Sequence, residues 1–156
     1  MKDYKEFTFG WIIFIFLIPM YLLIIYLYVT GIGDSPIDGK GVVVLTVLFT
    51  LIVLLFYGLT TKLSQDTITI SFGVGLIRKV IQLRHVKAVA RVKSPWYYGF
   101  GIRVIPNGIL YNISGWDGVE LRFNDSDRII RIGTKDSVLL EREILNRLEI
   151  KGRLAR

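Results

Sequence analysis

The chain has 156 residues, 52% of them apolar and 21% charged, a balance that excludes a disordered chain and is unusual for a water-soluble domain. It has no cysteine and one histidine, His85, which excludes disulfide frameworks, thiolate metal sites, cysteine nucleophiles and multi-histidine centres within one chain, and no cofactor is expected. A net charge of +7 points to an anionic partner: a membrane surface, a nucleic acid or an acidic protein.

From Phe7 to Gly33 no residue is charged, and within that run Trp11 to Val29 is interrupted only by Pro19. Gly41 to Thr61 is a second uncharged run, with the interior VVVLTVLFTLIVLLFY. About 20 helical residues cross the ~30 Å hydrocarbon core of a bilayer, and backbone in lipid must satisfy its own hydrogen bonds. The two runs therefore predict membrane-spanning helices over about 10–29 and 41–59. A cleavable signal peptide is the competing reading of the first run, but its apolar stretch is longer than the roughly 7–15 residues such a signal uses. Pro19 predicts a kink. The connector GIGDSPIDGK, residues 31–40, is turn chemistry and predicts a tight antiparallel hairpin, with Asp34 and Asp38 as solvated turn residues. Thr46, Thr50 and Gly58 are spaced to form a packing stripe between the two spans or, in a second reading, against partner helices. Trp11, Tyr26, Tyr28 and Tyr57 lie near span ends, as interface anchors do.

Of the 20 basic residues, 17 lie in 62–156 against nine acidic ones, a net of +8 there. The positive-inside rule then places both termini in the cytoplasm and the connector outside, in a multi-pass protein of the plasma membrane.

Beyond Thr61 the period falls to two. Ile68, Ile70 and Phe72 alternate with Thr67, Thr69 and Ser71; Val86, Ala88, Ala90 and Val92 alternate with Lys87, Arg91 and Lys93. Similar alternation recurs around Arg103, in Val119–Leu121–Phe123 and in Ile130–Ile132. Turn signals separate these runs, and Asn107-Gly108 reads as a two-residue hairpin. About seven short strands in an antiparallel sheet follow. After Gly133, Leu140, Ile144 and Leu148 share one face of an amphipathic helix of about three to four turns, capped by Asp136 or Thr134 and ended near Gly152. The predicted fold is α+β: a membrane hairpin over 1–59, a curled antiparallel sheet closed by a C-terminal helix over 60–151, and a tail over 152–156.

The segment SPWYYGFGIRVIPNGILYNISGWDGVEL, residues 94–121, followed by RIGTKDSVLLEREI, is similar to recurrent stretches of bacterial pleckstrin-homology-like (PH-like) proteins. The resemblance covers roughly residues 60–150, and one subgroup carries a membrane hairpin ahead of the domain. It implies a PH-like barrel used for binding or scaffolding, often in oligomers, with no catalysis. The first hairpin here, residues 60–67, carries only Lys62, whereas the phosphoinositide-binding eukaryotic domains carry basic pairs at that place.

Arg78, Lys79, Arg84, Lys87, Arg91 and Lys93 are the densest basic cluster and candidates for contact with an anionic lipid surface; the alternative is a solvated strand face. Trp96, Tyr97 and Tyr98 read first as a plug of the barrel mouth, and otherwise as aromatic anchors for a membrane or a protein partner. His85, Ser114 and Asp117 have the residue types of a catalytic triad, but no nucleophile-elbow motif surrounds Ser114. Asn124 to Asp127 is a turn rather than a calcium loop, and the sequon Asn112-Ile113-Ser114 should be inert in the cytoplasm. No nucleic-acid motif is present. The expected function is a membrane-anchored binding or scaffolding module, not an enzyme, that recruits anionic lipid or a protein partner, including a second copy of itself. The alternative is a structural subunit whose helices pack with partner helices.

Overall fold

A computed structural model describes residues 3–32 and 38–154, the last four as backbone only. Asp34 and the middle of the connector lie outside the described residues.

The sheet begins before the helices. Strand β1 (Tyr4–Phe9) runs directly into helix α1 (Trp11–Thr30), and helix α2 (Gly39–Phe56) runs into strand β2 (Gly58–Leu63). β1 and β2 pair antiparallel along their whole length, from Tyr4↔Leu63 to Phe9↔Gly58. The helices are thus an insertion at one end of a strand pair. The expected division between a hairpin over 1–59 and a sheet from residue 60 does not separate these elements, because residues 4–9 and 58–59 belong to the sheet.

α1 and α2 have 20 and 18 residues, both long and apolar enough to cross a membrane, and neither contains a buried residue. α1 is continuous through Pro19. α2 starts two residues before its expected span because Asp38 caps it, its Oδ1 accepting from Gly41 N at 2.7 Å. The helices meet through polar atoms: Thr46 Oγ1 donates to Val42 O, so the Tyr21 hydroxyl donates to Thr46 Oγ1, at 3.0 Å. Thr46 therefore does serve packing between the two helices. Gly58 does not, since it lies in β2, where an added Cβ would collide with the Phe7 ring.

Strands β3 (Thr67–Phe72) and β4 (Ile77–Gln82) complete a first sheet of order β1-β2-β3-β4. β5 (Val86–Lys93), β6 (Gly101–Ile105), β7 (Gly108–Asn112), β8 (Asp117–Phe123) and β9 (Ile129–Gly133) form a second, of order β5-β8-β9-β7-β6. The described residues thus hold nine strands rather than about seven, and one pair, β7–β9, is parallel. The cause is the route taken after β7. β8 crosses to pair with β5, and β9 then fills the space between β8 and β7.

The core lies between the sheets. Leu59, Leu63, Ile68, Ile70 and Phe72 of the first meet Tyr111, Ile113, Val119, Leu121 and Ile132 of the second. Leu140 and Ile144 of helix α3 (Ser137–Leu154) close this core, as the four-residue spacing predicts. Asp136 caps α3, its Oδ1 accepting from Leu139 N at 2.9 Å. The helix runs through Gly152 to Leu154, so the expected stop near Gly152 is not seen; an interior glycine costs about 1 kcal/mol relative to alanine and does not oblige a helix to end, and residues 155–156 of the expected tail lie outside the described residues.

β1 is fastened to the start of α3. The Glu6 carboxylate accepts hydrogen bonds from the Tyr4, Thr8 and Thr134 hydroxyls and from Lys135 N. Burial first, and the Glu6 carboxylate second, push the Tyr4 phenol well above the ordinary tyrosine range.

β5 reverses the predicted alternation. A bulge between Val86 and Ala88 shifts the register, so Val89 pairs with core-facing Leu121 while Ala88 and Ala90 pair with Arg122 and Glu120 on the other face. One extra residue moves every following side chain to the opposite face.

Candidate anion-binding cleft

The face of the second sheet turned away from the core carries charge. On β8, Val119 and Leu121 are fully buried in the core, which turns Glu120 and Arg122 outward; on β9 the same alternation turns Arg131 outward between Ile130 and Ile132. Glu120 and Arg131 are register partners. Glu120 is only 4% exposed, yet its carboxylate holds two arginines: Oε1 accepts from Arg122 Nε and Oε2 from Arg131 Nε, each at 2.9 Å. Burial alone would raise the Glu120 pKa, but the hydrogen bonds from Arg122 and Arg131 outweigh it and hold the carboxyl below the usual glutamate value. The Arg131 guanidinium lies 5.8 Å from the centroid of the Tyr98 ring, a cation–π distance. Ala88 and Ala90 on β5 leave the neighbouring surface low.

Ala88, Glu120, Arg122 and Arg131 form one wall of a cleft of about 740 Å³, completed by the β6–β7 turn and by Ser126 to Arg128. Lys87, Arg122, Arg128 and Arg131 line it against the carboxylates Glu120 and Asp127. Glu120 already serves two of the arginines, and no ion pair engages Lys87 or Arg128 among the described residues. The arrangement suits an anion bound by the outward guanidinium N–H groups and the lysine.

The β6–β7 turn differs by one residue from its sequence signature. Ile105 pairs with Gly108, so Pro106 and Asn107 are the loop, with Asn107 at φ +63°. Gly108 is needed instead for close approach to β9, since a Cβ there would collide with Ile129 O.

The six basic residues singled out from the sequence do not share one face. Lys87 alone of them lines this cleft. Lys79 pairs in register with core-facing Ile70 and opens into a second, smaller cleft of about 430 Å³, with His85, Asp125 and Arg128. Arg78 pairs with Ser71 and so points to the opposite side of β4. Arg84 Nε donates to His85 Nε2 at 3.0 Å, Arg91 is ion-paired with Glu141 at 3.0 Å, and Lys93 ends β5. The aromatics do not plug a barrel mouth: Trp96 and Tyr97 are 77% and 67% exposed, and only Tyr98 turns back, over Arg131. A loop leading into an edge strand offers them no enclosed space.

The triad types are not assembled. Ser114 Oγ donates to Phe9 O beside α1, whereas His85 precedes the far end of β5 and pairs with Asp125 at 3.3 Å. Asn112 of the sequon is 2% exposed, its Nδ2 donating to Gly115 O.

Arg122, Arg128, Arg131 and Glu120 were not singled out in the sequence. Glu120-x-Arg122 on an alternating strand was a usable signal for part of the group, but Arg131 joins it only through β8–β9 pairing. Comparison with protein-family models, with curated proteins and with solved structures finds no match.

Proposed function

We propose that this chain is a membrane-anchored binding module of PH-like type, held at the cytoplasmic face of the plasma membrane by its helical hairpin, which recruits an acidic segment of a protein partner to the cleft. The observation that carries this reading is the cleft's four cations, arranged around a carboxylate that fixes two of them in place. The anchor is supported by two long apolar helices with no buried residue, both returning to paired strands of one sheet. The asymmetry of lysine and arginine supports a cytoplasmic domain and cytoplasmic termini. Two packed sheets closed by a C-terminal helix support the PH-like description, from which the parallel β7–β9 pair departs.

A protein ligand is favoured over the bilayer by distance. β7 runs from Gly108, beside the cleft turn, to Asn112, and Ile113 follows against Gly10 at the base of the helices. That separation is about 17 Å at ~3.3 Å per residue, against a screening length of about 8 Å in physiological salt. A structural-subunit reading has one observation in its favour, an open groove of about 380 Å³ between α1 and α2 lined by Phe14, Tyr21, Thr46, Phe49 and Thr50 among others.

The test uses the full chain in nanodiscs of neutral lipid and a fluorescent ten-residue glutamate peptide. Binding should weaken as salt rises, and the double reversal Lys87→Glu/Arg128→Glu should weaken it about tenfold or more. Peptide affinity unchanged by the reversals would remove the cleft from the reading. Binding to anionic vesicles that survives them would restore lipid as the ligand. In cells, cysteine at Ser126 should resist an impermeant reagent that labels one at Ser35; the opposite pattern would reverse the topology.

A further inference from the structure

We infer that the β3–β4 turn, Gly73 to Leu76, is a third membrane contact of this chain, inserted into the same leaflet beside the end of α2. The inference rests on the membrane-anchor reading and adds to it an element with no helical hydrophobic run to mark it.

The turn is fastened to the helix. Val74 N donates to Leu54 O at 3.1 Å. That carbonyl is among the last four of α2, which have no partner within the helix, so the turn supplies one. Gly73 makes the approach feasible: it adopts φ +49°, and a Cβ there would collide with Leu54 O. The two apolar side chains of the turn point outward, Val74 55% and Leu76 79% exposed.

Helix length sets the depth. α2 has 18 residues, hence a length of about 27 Å, slightly less than the ~30 Å hydrocarbon core. No part of α2 is to spare, and its last turn must lie at the hydrocarbon edge. Leu54 is two residues, about 3 Å, before the end of the helix at Phe56. A turn bonded to Leu54 is held at that level and cannot stand in bulk water while α2 spans the bilayer. Arg78 follows on the strand, exposed, where a long cationic side chain reaches headgroups. The partner is therefore the acyl–headgroup boundary of the bilayer.

Single cysteines at Leu76, Val80 and Leu48 of the full chain, each bearing an environment-sensitive fluorophore, can be compared in nanodiscs containing nitroxide-labelled lipid. Leu48 reports the span, and Val80 is an exposed position of the same edge strand farther from the helix. The label at Leu76 should be quenched by shallow nitroxide at least about twice as strongly as that at Val80, with a blue-shifted emission. A label at Val74 should behave as at Leu76. Quenching at Leu48 by deep nitroxide, without excess quenching at Leu76 or Val74, would overturn the inserted turn and leave the anchor intact. Absence of quenching at Leu48 as well would overturn the anchor, and the inserted turn with it.

Discussion

The helical hairpin and the sheet domain are both rich in leucine, isoleucine, valine and phenylalanine, but they place these residues oppositely. Phe16, Leu22 and Val43 are 60% or more exposed, whereas Ile70, Leu121 and Ile144 are at most 1% exposed. The sheet domain encloses an apolar core of its own, with Leu76, Trp96 and Val104 left outside it. The hairpin does not, and a polar solvent would penalise each exposed side chain, fully exposed against buried, by about 1.5–3 kcal/mol. Apolar content alone therefore does not distinguish a core from an exposed apolar surface; what the residues pack against does. The regions are nevertheless not separable pieces, because the chain enters and leaves the hairpin through neighbouring strands, with Gly10 N bonded to Tyr57 O at 2.9 Å.

The strongest test of that junction is to cut it. A fragment of residues 60–156 looks like a domain in the sequence, but it lacks β1 and the first two residues of β2. Its β2 would become an open edge, Leu59 would be gone from the core, and the Glu6 contacts to Thr134 and Lys135 would be lost. It should aggregate or melt far below the parent. Joining residues 3–9 to 58–154 by a short turn in place of the helices should restore a cooperative, strand-rich unfolding transition by circular dichroism. Equal stability of the two fragments would show that β1 contributes nothing.

β1 was hard to read because its alternation runs against the usual sense. Tyr4, Glu6 and Thr8 are its more buried side chains, and Phe7 and Phe9 are more than 40% exposed, so the segment resembles the polar lead-in of a membrane helix. The long apolar helices and the capped α3 were legible, because composition, period and Asp136 agreed. The phase of β5 was not, since nothing in Val86–Lys93, where lysine and arginine interleave with valine and alanine, marks a bulge. The cleft was half legible. Glu120 and Arg122 share a strand face by period alone, but Arg131 and Arg128 arrive by pairing and by a loop, and neither relation is encoded in local spacing.

A smaller effect separates the charged face of the second sheet from its apolar core. Glu120 is an acid whose folded pKa lies below its unfolded value. The stability it contributes is therefore present above the unfolded value, about 4.3, and is lost as pH falls through the folded value. Glu120→Gln should destabilise the domain by about 1–3 kcal/mol at pH 7, since it removes the partner of a largely buried Arg131. The gap between variant and parent should narrow below about pH 4, where the parent carboxyl also becomes neutral. Chemical denaturation across that range measures it. A gap independent of pH would mean that the carboxylate's charge is not what holds the arginines.

The smallest effect concerns Arg91, which the sequence offered to an anionic surface and the structure gives to Glu141 of α3, at 3.0 Å. The arginine side chain is 55% exposed and the glutamate 22%, so solvent screens the pair and its worth should be about 0.5 kcal/mol. Arg91→Glu places two carboxylates together and should lower the melting temperature by a few degrees, roughly 4–8 °C per kcal/mol for a domain of this size. Adding Glu141→Arg to that variant rebuilds the pair in reverse and should recover most of the loss, with the recovery fading as salt rises. A residue that works by touching lipid would behave otherwise. Arg91→Glu would leave the melting temperature in detergent unchanged, weaken attachment to anionic vesicles, and gain nothing from the change at Glu141. The double-mutant cycle, read by melting in detergent and by vesicle binding in parallel, thus asks whether charge near the C-terminal end of β5 belongs to a lipid surface or to the domain's own closing helix.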